Sequence, residues 1–119
     1  MDDFRKLKLW QRSHELVLEI EPKLFEFPKY QIFALSQQIR RAMYSITSNI
    51  AEGSGKESIK EKIRFLEIAK GSLYELLNQL ITSYDLGYIS EEDLEELISL
   101  FDEIRKLFIG YKKYLQKKL

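Results

Sequence analysis

The sequence predicts an all-α protein: an antiparallel up-down-up-down four-helix bundle, formed by one domain of residues 1–119. Apolar residues recur every three or four positions through four long segments, which is typical of amphipathic helices. Three short breaks separate the segments, and short connections make consecutive helices antiparallel. The chain has only 2 Pro and 5 Gly residues, which are few for a protein of many short strands and turns.

The first predicted helix runs from about Phe4 to Phe25, with Asp2 or Asp3 capping its start. Pro22 lies late in this segment and predicts a kink or an early end, because proline lacks an amide hydrogen. Pro28 drives the preceding residue out of the α region and so predicts the first break. The apolar positions of this segment include Phe4, Leu7, Trp10, Val17, Leu18, Leu24 and Phe25.

The second predicted helix runs from about Gln31 to Glu52. Its apolar stripe is formed by Ile32, Leu35, Ile39, Ala42, Ile46 and Ile50, with Met43 beside it. Gly53 follows the last of these positions. Because glycine adopts the left-handed conformation readily, Gly53 is predicted to end the helix in that conformation.

The third predicted helix, about Glu57 to Leu86, is the longest. Gly71 in its middle should cost about 1 kcal/mol relative to alanine. We therefore expect a neighbouring helix to pass closely over Gly71-Ser72, so that Gly71→Leu would destabilise the protein by overpacking. Two adjacent apolar strips are expected, formed by Ile59, Ile63, Leu66, Leu73, Leu77, Leu80 and Tyr84, and by Phe65, Ile68, Ala69 and Leu76.

Gly87 is predicted to end the third helix in the left-handed conformation, and Ser90 is predicted to cap the fourth. Acidic residues follow Ser90, and lysines occupy the last turns, which matches the direction of the helix dipole. The apolar face of the fourth helix is predicted to comprise Leu94, Leu97, Phe101, Ile104, Phe108, Tyr111 and Leu115.

Composition excludes several classes of site. Cys is absent, so disulfides, cysteine-ligated zinc and thiol nucleophiles are excluded. The 19 basic and 19 acidic side chains give no net charge, whereas a free-standing nucleic-acid binder usually has a basic excess. The sequence contains no run of about 18 apolar residues, which a membrane-spanning helix would need. The first residues are charged and contain no apolar signal core, so we expect a cytoplasmic protein.

No group of residues predicts catalysis. His14 is the single histidine, and a structural role is favoured over that of a general base or metal ligand. The acidic run 91–96 lacks the Glu-x-x-His partners of di-metal bundles and is interpreted as a solvated face. Gly53-Ser54-Gly55 with Lys56 could hold an anion at a helix start, although a flexible turn is favoured. We predict no catalytic residues, no cofactor, no metal and no enzymatic activity.

Basic residues suggest a possible contact with nucleic acid or another partner. Tyr111 and Tyr114 lie near the basic last turns and could stack on bases. Helix-dipole complementation and solubility are the favoured alternative, but a symmetric oligomer would multiply a weak patch. The candidate contact residues are Arg40, Arg41, Lys112, Lys113, Lys117 and Lys118.

The segment 45–53 is rich in small and polar residues, which are mediocre helix formers that compete for backbone hydrogen bonds. We predict an assembly or structural role for it, with Asn49 joining the turn at Gly53 to a neighbouring helix. The candidate assembly residues are Ser45, Ser48, Asn49, Glu52 and Gly53. Aromatic residues beyond one core stripe also suggest a subunit interface, namely Trp10, Phe33, Tyr44, Phe65, Tyr74 and Tyr88.

Five ordered motifs resemble the bacterial four-helix bundle family of 23S ribosomal RNA intervening-sequence proteins. They cover nearly the whole chain up to Gly87-Tyr88. The motifs are Leu7-x-Leu9-Trp10-Gln11, Phe27-Pro28, Leu35-x-x-Gln38-Ile39-Arg40-Arg41-Ala42, Ser45-Ile46-x-Ser48-Asn49-Ile50-Ala51-Glu52-Gly53 and Ala69-x-Gly71-Ser72-x-x-Glu75-Leu76.

The resemblance implies a homopentamer around a central axis. It also implies kinship with the basic accessory protein of diversity-generating retroelements, which engages a reverse transcriptase and nucleic acid. This chain differs from the family in Tyr30 and Gln31, where acidic residues are usual, and in Thr47, where proline is common. We expect a non-enzymatic, homo-oligomeric binding or scaffolding protein. The alternative is an RNA- or DNA-binding module, or a reverse-transcriptase accessory, that uses a symmetric basic face.

Overall fold

Four α-helices and two short 3-10 helices form the protein in a computed structural model that describes residues 3–31 and 34–119. The predicted positions Asp2, Ile32 and Phe33 lie outside the described residues. No strand occurs in the described part of the chain. The helices are α1 (Lys8–Leu24), α2 (Leu35–Ser54), α3 (Ile59–Asp85) and α4 (Glu91–Gln116), with 3-10 turns at Phe4–Lys6 and Lys29–Gln31.

Consecutive helices are neighbours, and α1 also packs against α4, so the four helices surround one core. In these pairs of neighbouring helices, contacts that involve higher residue numbers on one helix involve lower residue numbers on the other. The neighbouring helices are therefore antiparallel. The pairs that show this are Arg12–Glu103 and Lys23–Asp93 between α1 and α4, Ser45–Ser72 and Ser54–Lys62 between α2 and α3, and Glu67–Lys112 and Tyr74–Phe101 between α3 and α4.

This order confirms the predicted four-helix bundle and gives it two distinct ends. At the end that we call the Tyr111 end, α1 and α3 begin while α2 and α4 end. At the other, the Tyr88 end, α1 and α3 end while α2 and α4 begin. The bundle extends 46 Å along its long axis. No helix in the described ranges is both long enough and apolar enough to cross a bilayer.

Helix α1 begins later than predicted. Asp3 accepts a hydrogen bond from the backbone amide of Arg5 (2.9 Å) and caps a single 3-10 turn. Leu7 is then extended, and α1 starts at Lys8. Pro22 lies inside α1, which ends two residues beyond it. Two of the apolar positions named for this segment, Leu18 and Phe25, are 60% and 79% exposed. The buried side of α1 is formed by Leu9, Ser13, Leu16, Val17, Ile20 and Leu24.

The prediction for Gly53 is wrong. Gly53 lies within α2, which continues to Ser54, and it is not in the left-handed region. A Cβ placed on Gly53 would lie 2.8 Å from the Cβ of Phe65 on α3, closer than side chains normally approach. Gly53 therefore allows α2 and α3 to approach closely at the Tyr111 end.

The prediction for Gly71 is also wrong. Gly71 is exposed, and no atom lies within 4 Å of the Cβ that a substitution would add. The helix contact is made one residue later, where the Ser72 hydroxyl lies 2.8 Å from that of Ser45 on α2. Gly71→Leu is consequently not expected to overpack the core.

The connection between α3 and α4 has the predicted geometry. Gly87 has a φ of 82°, and the amides of Gly87 and Tyr88 donate to the carbonyls of Tyr84 and Ser83. This pair of bonds is the Schellman arrangement that ends a helix at a left-handed residue. The Ser90 hydroxyl then accepts a hydrogen bond from the amide of Asp93 (3.1 Å) and caps α4.

Apolar residues from all four helices fill the core, which includes the predicted α4 stripe except for half-buried Tyr111. Three serines are completely buried as well. The Ser83 hydroxyl donates to the carbonyl of Gln79 (2.8 Å). The hydroxyls of Ser13 and Ser36 have no hydrogen-bond partner among the described residues, and such a group destabilises a protein.

Candidate functional site

The arginines predicted to contact nucleic acid lie in the second turn of α2. The Arg40 guanidinium donates to Oε1 of Glu21 (2.8 Å) and lies 5.9 Å from the ring centre of Phe25. Glu21 also accepts a hydrogen bond from the hydroxyl of Tyr44 (2.6 Å). Burial raises the pKa of Glu21, but the Tyr44 and Arg40 bonds outweigh burial and lower that pKa overall. Arg41 is exposed.

The predicted C-terminal lysines lie in the last turns of α4 and beyond. The Lys112 ammonium pairs with Glu67 of α3 (2.9 Å). The Lys118 ammonium lies 4.4 Å from the centre of the Tyr114 ring, a cation–π contact. Lys113 and Lys117 are exposed. Several of these cations are therefore already engaged within the subunit.

The structure does not bring the two predicted basic groups together in one subunit. Arg40 and Arg41 follow the start of α2 at the Tyr88 end, whereas Lys112 to Lys118 lie at the Tyr111 end. The long axis of 46 Å separates these ends. A continuous basic surface from both groups would require contributions from more than one copy.

Charge is instead segregated along the bundle. At the Tyr111 end, basic residues outnumber the acidic residues Asp3, Glu52, Glu57, Glu61 and Glu67. The basic residues are Arg5, Lys6, Lys8, Lys56, Lys60, Lys62, Arg64, Lys112, Lys113, Lys117 and Lys118. At the Tyr88 end, acidic residues outnumber Lys23, Lys29, Arg40 and Arg41; they are Glu19, Glu21, Glu26, Asp85, Glu91, Glu92, Asp93, Glu95 and Glu96. The zero net charge conceals this polarity.

The predicted assembly segment mainly joins α2 to α3. Ser45 contacts Ser72 of α3 through its hydroxyl. Asn49 donates to the Ser45 carbonyl (2.8 Å) and hydroxyl (3.0 Å), so its amide bonds within α2 and does not join the Gly53 turn to another helix as predicted. The contact near that turn is the close approach of Gly53 to Phe65. Ser48 and Glu52 are exposed, and their assembly role stays a prediction.

Two exposed apolar surfaces lie on opposite sides of the bundle. The α1–α2 face consists of Leu18, Phe25 and Tyr44, beside half-buried Trp10. The α3–α4 face consists of Tyr74, Ile81, Ile98 and Ile109, which are between 36% and 45% exposed. Since α1 and α2 are neighbours on one side and α3 and α4 on the other, the two faces point away from each other.

The aromatic residues predicted to lie outside the core have different environments. Tyr44 and Tyr74 are exposed, as an interface role would require, and Trp10 is half-buried. Phe65 is buried against Gly53, so the prediction that it lies outside the core and at a subunit interface is wrong. Tyr88 packs on Phe27 with ring centres 5.3 Å apart.

A cleft opens at the Tyr111 end, with a volume of about 320 Å³. Four elements line it: the first 3-10 turn and the ends of α2, α3 and α4. We call it the end cleft, and its lining residues are Asp3, Phe4, Lys6, Leu7, Ser54, Lys62, Tyr111 and Tyr114. Of these residues, only the two tyrosines were predicted to contact a ligand. The lining residues are separated by up to about 110 positions, and only the fold brings them together.

His14 is engaged in an aromatic contact on α1. The imidazole of His14 stacks on Trp10, with ring centres 4.6 Å apart and planes 11° apart. No three His, Asp or Glu residues within the described ranges are grouped so that they could hold a metal ion. Arg12 pairs with Glu103 on α4, which lowers the pKa of Glu103 and joins α1 to α4.

Comparisons with known proteins identify the family. The sequence model of the 23S rRNA-intervening sequence proteins matches residues 5–110. This chain belongs to that family. A crystal structure of a protein of unknown function from the S23 ribosomal protein family of Bacteroides thetaiotaomicron VPI-5482 is similar to this chain, with a TM-score of 0.78 and 29% identity. The alignment covers 88% of this chain and 98% of that protein. None of the curated proteins matches the chain.

Proposed function

We propose that this intervening-sequence family member is a non-enzymatic protein that assembles with copies of itself, in a ring of five, and serves as a binding or scaffolding component. One observation carries the proposal: each subunit has two different exposed apolar faces on opposite sides. Monomeric proteins rarely expose several large apolar side chains together. The number five rests on the family resemblance, and the cytoplasmic location stays a prediction.

Two unlike faces favour one kind of symmetry. A two-fold dimer uses the same face on both subunits and would leave the other face exposed. A head-to-tail contact joins the α1–α2 face of one copy to the α3–α4 face of the next, and it closes into a ring when the rotation between neighbouring copies divides a full turn. Both apolar faces of every subunit are then covered.

Light scattering tests this proposal. We expect the wild-type mass to be near five subunits of 14.2 kDa. Leu18→Lys and Ile98→Lys each place a charge in one apolar face, so each variant should run as a monomer. Ser99→Lys is the matched control, because adjacent helical residues point in different directions. It should leave the assembly intact.

Mixing the two interface variants separates the two symmetries. Leu18→Lys retains an intact α3–α4 face, and Ile98→Lys retains an intact α1–α2 face. A head-to-tail contact therefore predicts that an equimolar mixture forms a one-to-one dimer. A monomeric wild type, or a mixture that stays monomeric while the separate variants have lost assembly, would contradict the proposal.

RNA binding is a second candidate function, and the segregated charge at the Tyr111 end favours it. A ring brings equivalent basic ends together, so weak contacts would add through avidity. The expected result is a gel shift of RNA at low salt that disappears as salt rises. A Lys113→Gln/Lys117→Gln variant should weaken it more than Arg40→Gln/Arg41→Gln. Absence of a shift at low salt would refute this candidate, including a role as a reverse-transcriptase accessory that holds nucleic acid.

A further inference from the structure

The end cleft has the size of a small-molecule site. Its volume of about 320 Å³ falls at the lower end of the range for ligand pockets, which is roughly 300–1,000 Å³. It lies between the first 3-10 turn and the ends of three helices, and it contains none of the exposed residues that form the two apolar faces. It therefore belongs to a single subunit and does not rest on the proposed self-association.

The charged residues of the end cleft favour an anion. The Lys62 ammonium donates to the carbonyl of Ser54 (2.8 Å), which holds it in place, and a lysine ammonium has two further hydrogens to donate. Lys6 contributes a second cation from the 3-10 turn. Among the described residues, neither lysine has an ion-pair partner. An uncharged apolar ligand would leave these charges poorly solvated.

The one acidic residue of the lining is already compensated. The Arg5 guanidinium donates to both carboxylate oxygens of Asp3, at 2.7 Å from Nη2 to Oδ2 and 3.0 Å from Nε to Oδ1. These bonds lower the pKa of Asp3 to about 2. Asp3 therefore stays ionised with Arg5 as its main partner, and the charge of Lys6 makes only the smallest contribution to the lowering of the Asp3 pKa.

The aromatic residues of the cleft favour a planar group. The rings of Tyr111 and Tyr114 are 6.1 Å apart, with planes 21° apart, and Phe4 lines the cleft with them. Aromatic side chains bind nucleobases by stacking, and every base offers such a face. Lys118 lies over the Tyr114 ring and adds positive charge at the rim.

We propose that the end cleft binds a nucleotide, with its phosphate at Lys6 and Lys62 and its base against Tyr111 and Tyr114. A free nucleoside monophosphate and the 5′-phosphorylated end of an RNA strand share this chemistry. An RNA end would occupy the cleft with its first nucleotide, and the rest of the strand would extend over the basic residues of the Tyr111 end.

Calorimetry on the full chain tests the proposal with AMP, adenosine and inorganic phosphate. AMP should bind about tenfold more tightly than adenosine or phosphate, because it uses both the cations and the aromatic rings. Lys62→Gln should weaken AMP binding at least about tenfold, as loss of a charged hydrogen bond does. Lys60→Gln is the matched control: it removes the same charge from an exposed position of α3 and should have little effect.

Lys6→Gln and Tyr114→Leu keep the test valid if Lys62→Gln does not fold. Lys6→Gln should weaken both AMP and phosphate, whereas Tyr114→Leu should weaken AMP alone. Equal affinity for AMP and phosphate would overturn the proposal, because the rings would then contribute nothing. Equal effects of Lys60→Gln and Lys62→Gln would also overturn it, since they would indicate non-specific attraction.

RNA decamers with a 5′-phosphate or a 5′-hydroxyl distinguish the two sources. Tighter binding of the phosphorylated strand than of AMP, with loss in Lys62→Gln, supports a strand end. Binding of AMP without preference for the 5′-phosphorylated RNA supports a free nucleotide. If both RNAs bind equally and Lys62→Gln changes neither, while AMP does not bind, the cleft is not a nucleotide site. Each comparison can be made with monomeric Leu18→Lys, so failure of the assembly proposal would not affect the result.

Discussion

Replacing Gly53 with alanine tests the close contact between α2 and α3. The added Cβ would lie 2.8 Å from the Cβ of Phe65 and 3.5 Å from the carbonyl oxygen of Lys62. Because the nearest atom is bonded directly to the α3 backbone, no change of side-chain rotamer relieves the contact. The two helices must move apart, or the end of α2 must unwind.

The expected change in the free energy of unfolding of Gly53→Ala follows from two opposing effects. Overpacking by one carbon in a close-packed region costs about 1–3 kcal/mol. Alanine is about 1 kcal/mol better than glycine inside a helix, but Gly53 is the second-last residue of α2, so the gain should be smaller there. We expect a net loss of about 1–2 kcal/mol for Gly53→Ala. In contrast, Gly71→Ala meets no atom within 4 Å and should gain about 1 kcal/mol.

Urea unfolding, monitored by circular dichroism, measures the difference in the free energy of unfolding between Gly53→Ala and Gly71→Ala. The variants should be compared at one protein concentration, since assembly makes apparent stability concentration-dependent. The difference of about 2–3 kcal/mol corresponds to roughly 10 °C in Tm for a chain of this length. Gly110→Ala, also without an atom within 4 Å of its added Cβ, is a second control. If Gly53→Ala were as stable as Gly71→Ala, the close approach of α2 to α3 would be refuted.

Two further predictions concern buried and partly buried polar groups. Ser13→Ala removes a buried hydroxyl without a hydrogen-bond partner among the described residues, so it should be neutral or stabilise the protein by up to about 1 kcal/mol. Ser83→Ala removes the hydrogen bond to the carbonyl of Gln79 and should destabilise the protein by about 1 kcal/mol. Urea unfolding measures both changes, and equal losses of stability would contradict this prediction. The lowered pKa of Glu21 means that its ionised form contributes stability that is complete above its ordinary value of 4.5 and is lost as pH falls through the lowered pKa. Tyr44→Phe should raise this pKa in an NMR titration, and an unchanged titration would show that the Tyr44 bond is absent in solution.

The helices were predictable because their signals are local. Ser90 before three acidic residues and Gly87 after an apolar run act through bonds to residues three to five positions away. Such bonds depend on neighbouring sequence alone. The apolar periodicity of α4 was similarly clear, and its buried face agrees with the prediction except at Tyr111.

The wrong predictions concern residues whose burial depends on how a helix is rotated about its own axis relative to its neighbours. Gly53 and Gly71 are both helical glycines, but one faces Phe65 and the other faces solvent. Leu18 and Phe25 are apolar and yet lie on the outer side of α1, because Leu16, Val17 and Leu24 already supply its buried side. Nothing in the local sequence distinguishes these cases.

The end cleft was beyond sequence reasoning for a similar reason. Lys6 and Lys62 are far apart in the sequence, and only the fold places the first 3-10 turn at the same end of the bundle as the start of α3. The tyrosines of α4 were noticed for their spacing near lysines. Their place in the same cleft as Asp3 and Phe4 depends on the packing of α1 against α4.

The opposed charges of the two bundle ends have a consequence for any rotationally symmetric assembly. A purely cyclic arrangement relates subunits by turning about a single axis, so every copy keeps the same inclination to that axis. Equivalent termini then recur at one height and one radius, and their electric moments along the axis reinforce each other. Such a particle would have an electric dipole along its axis although its formal net charge is zero. A polyanion would therefore approach it from one direction, towards the positive end.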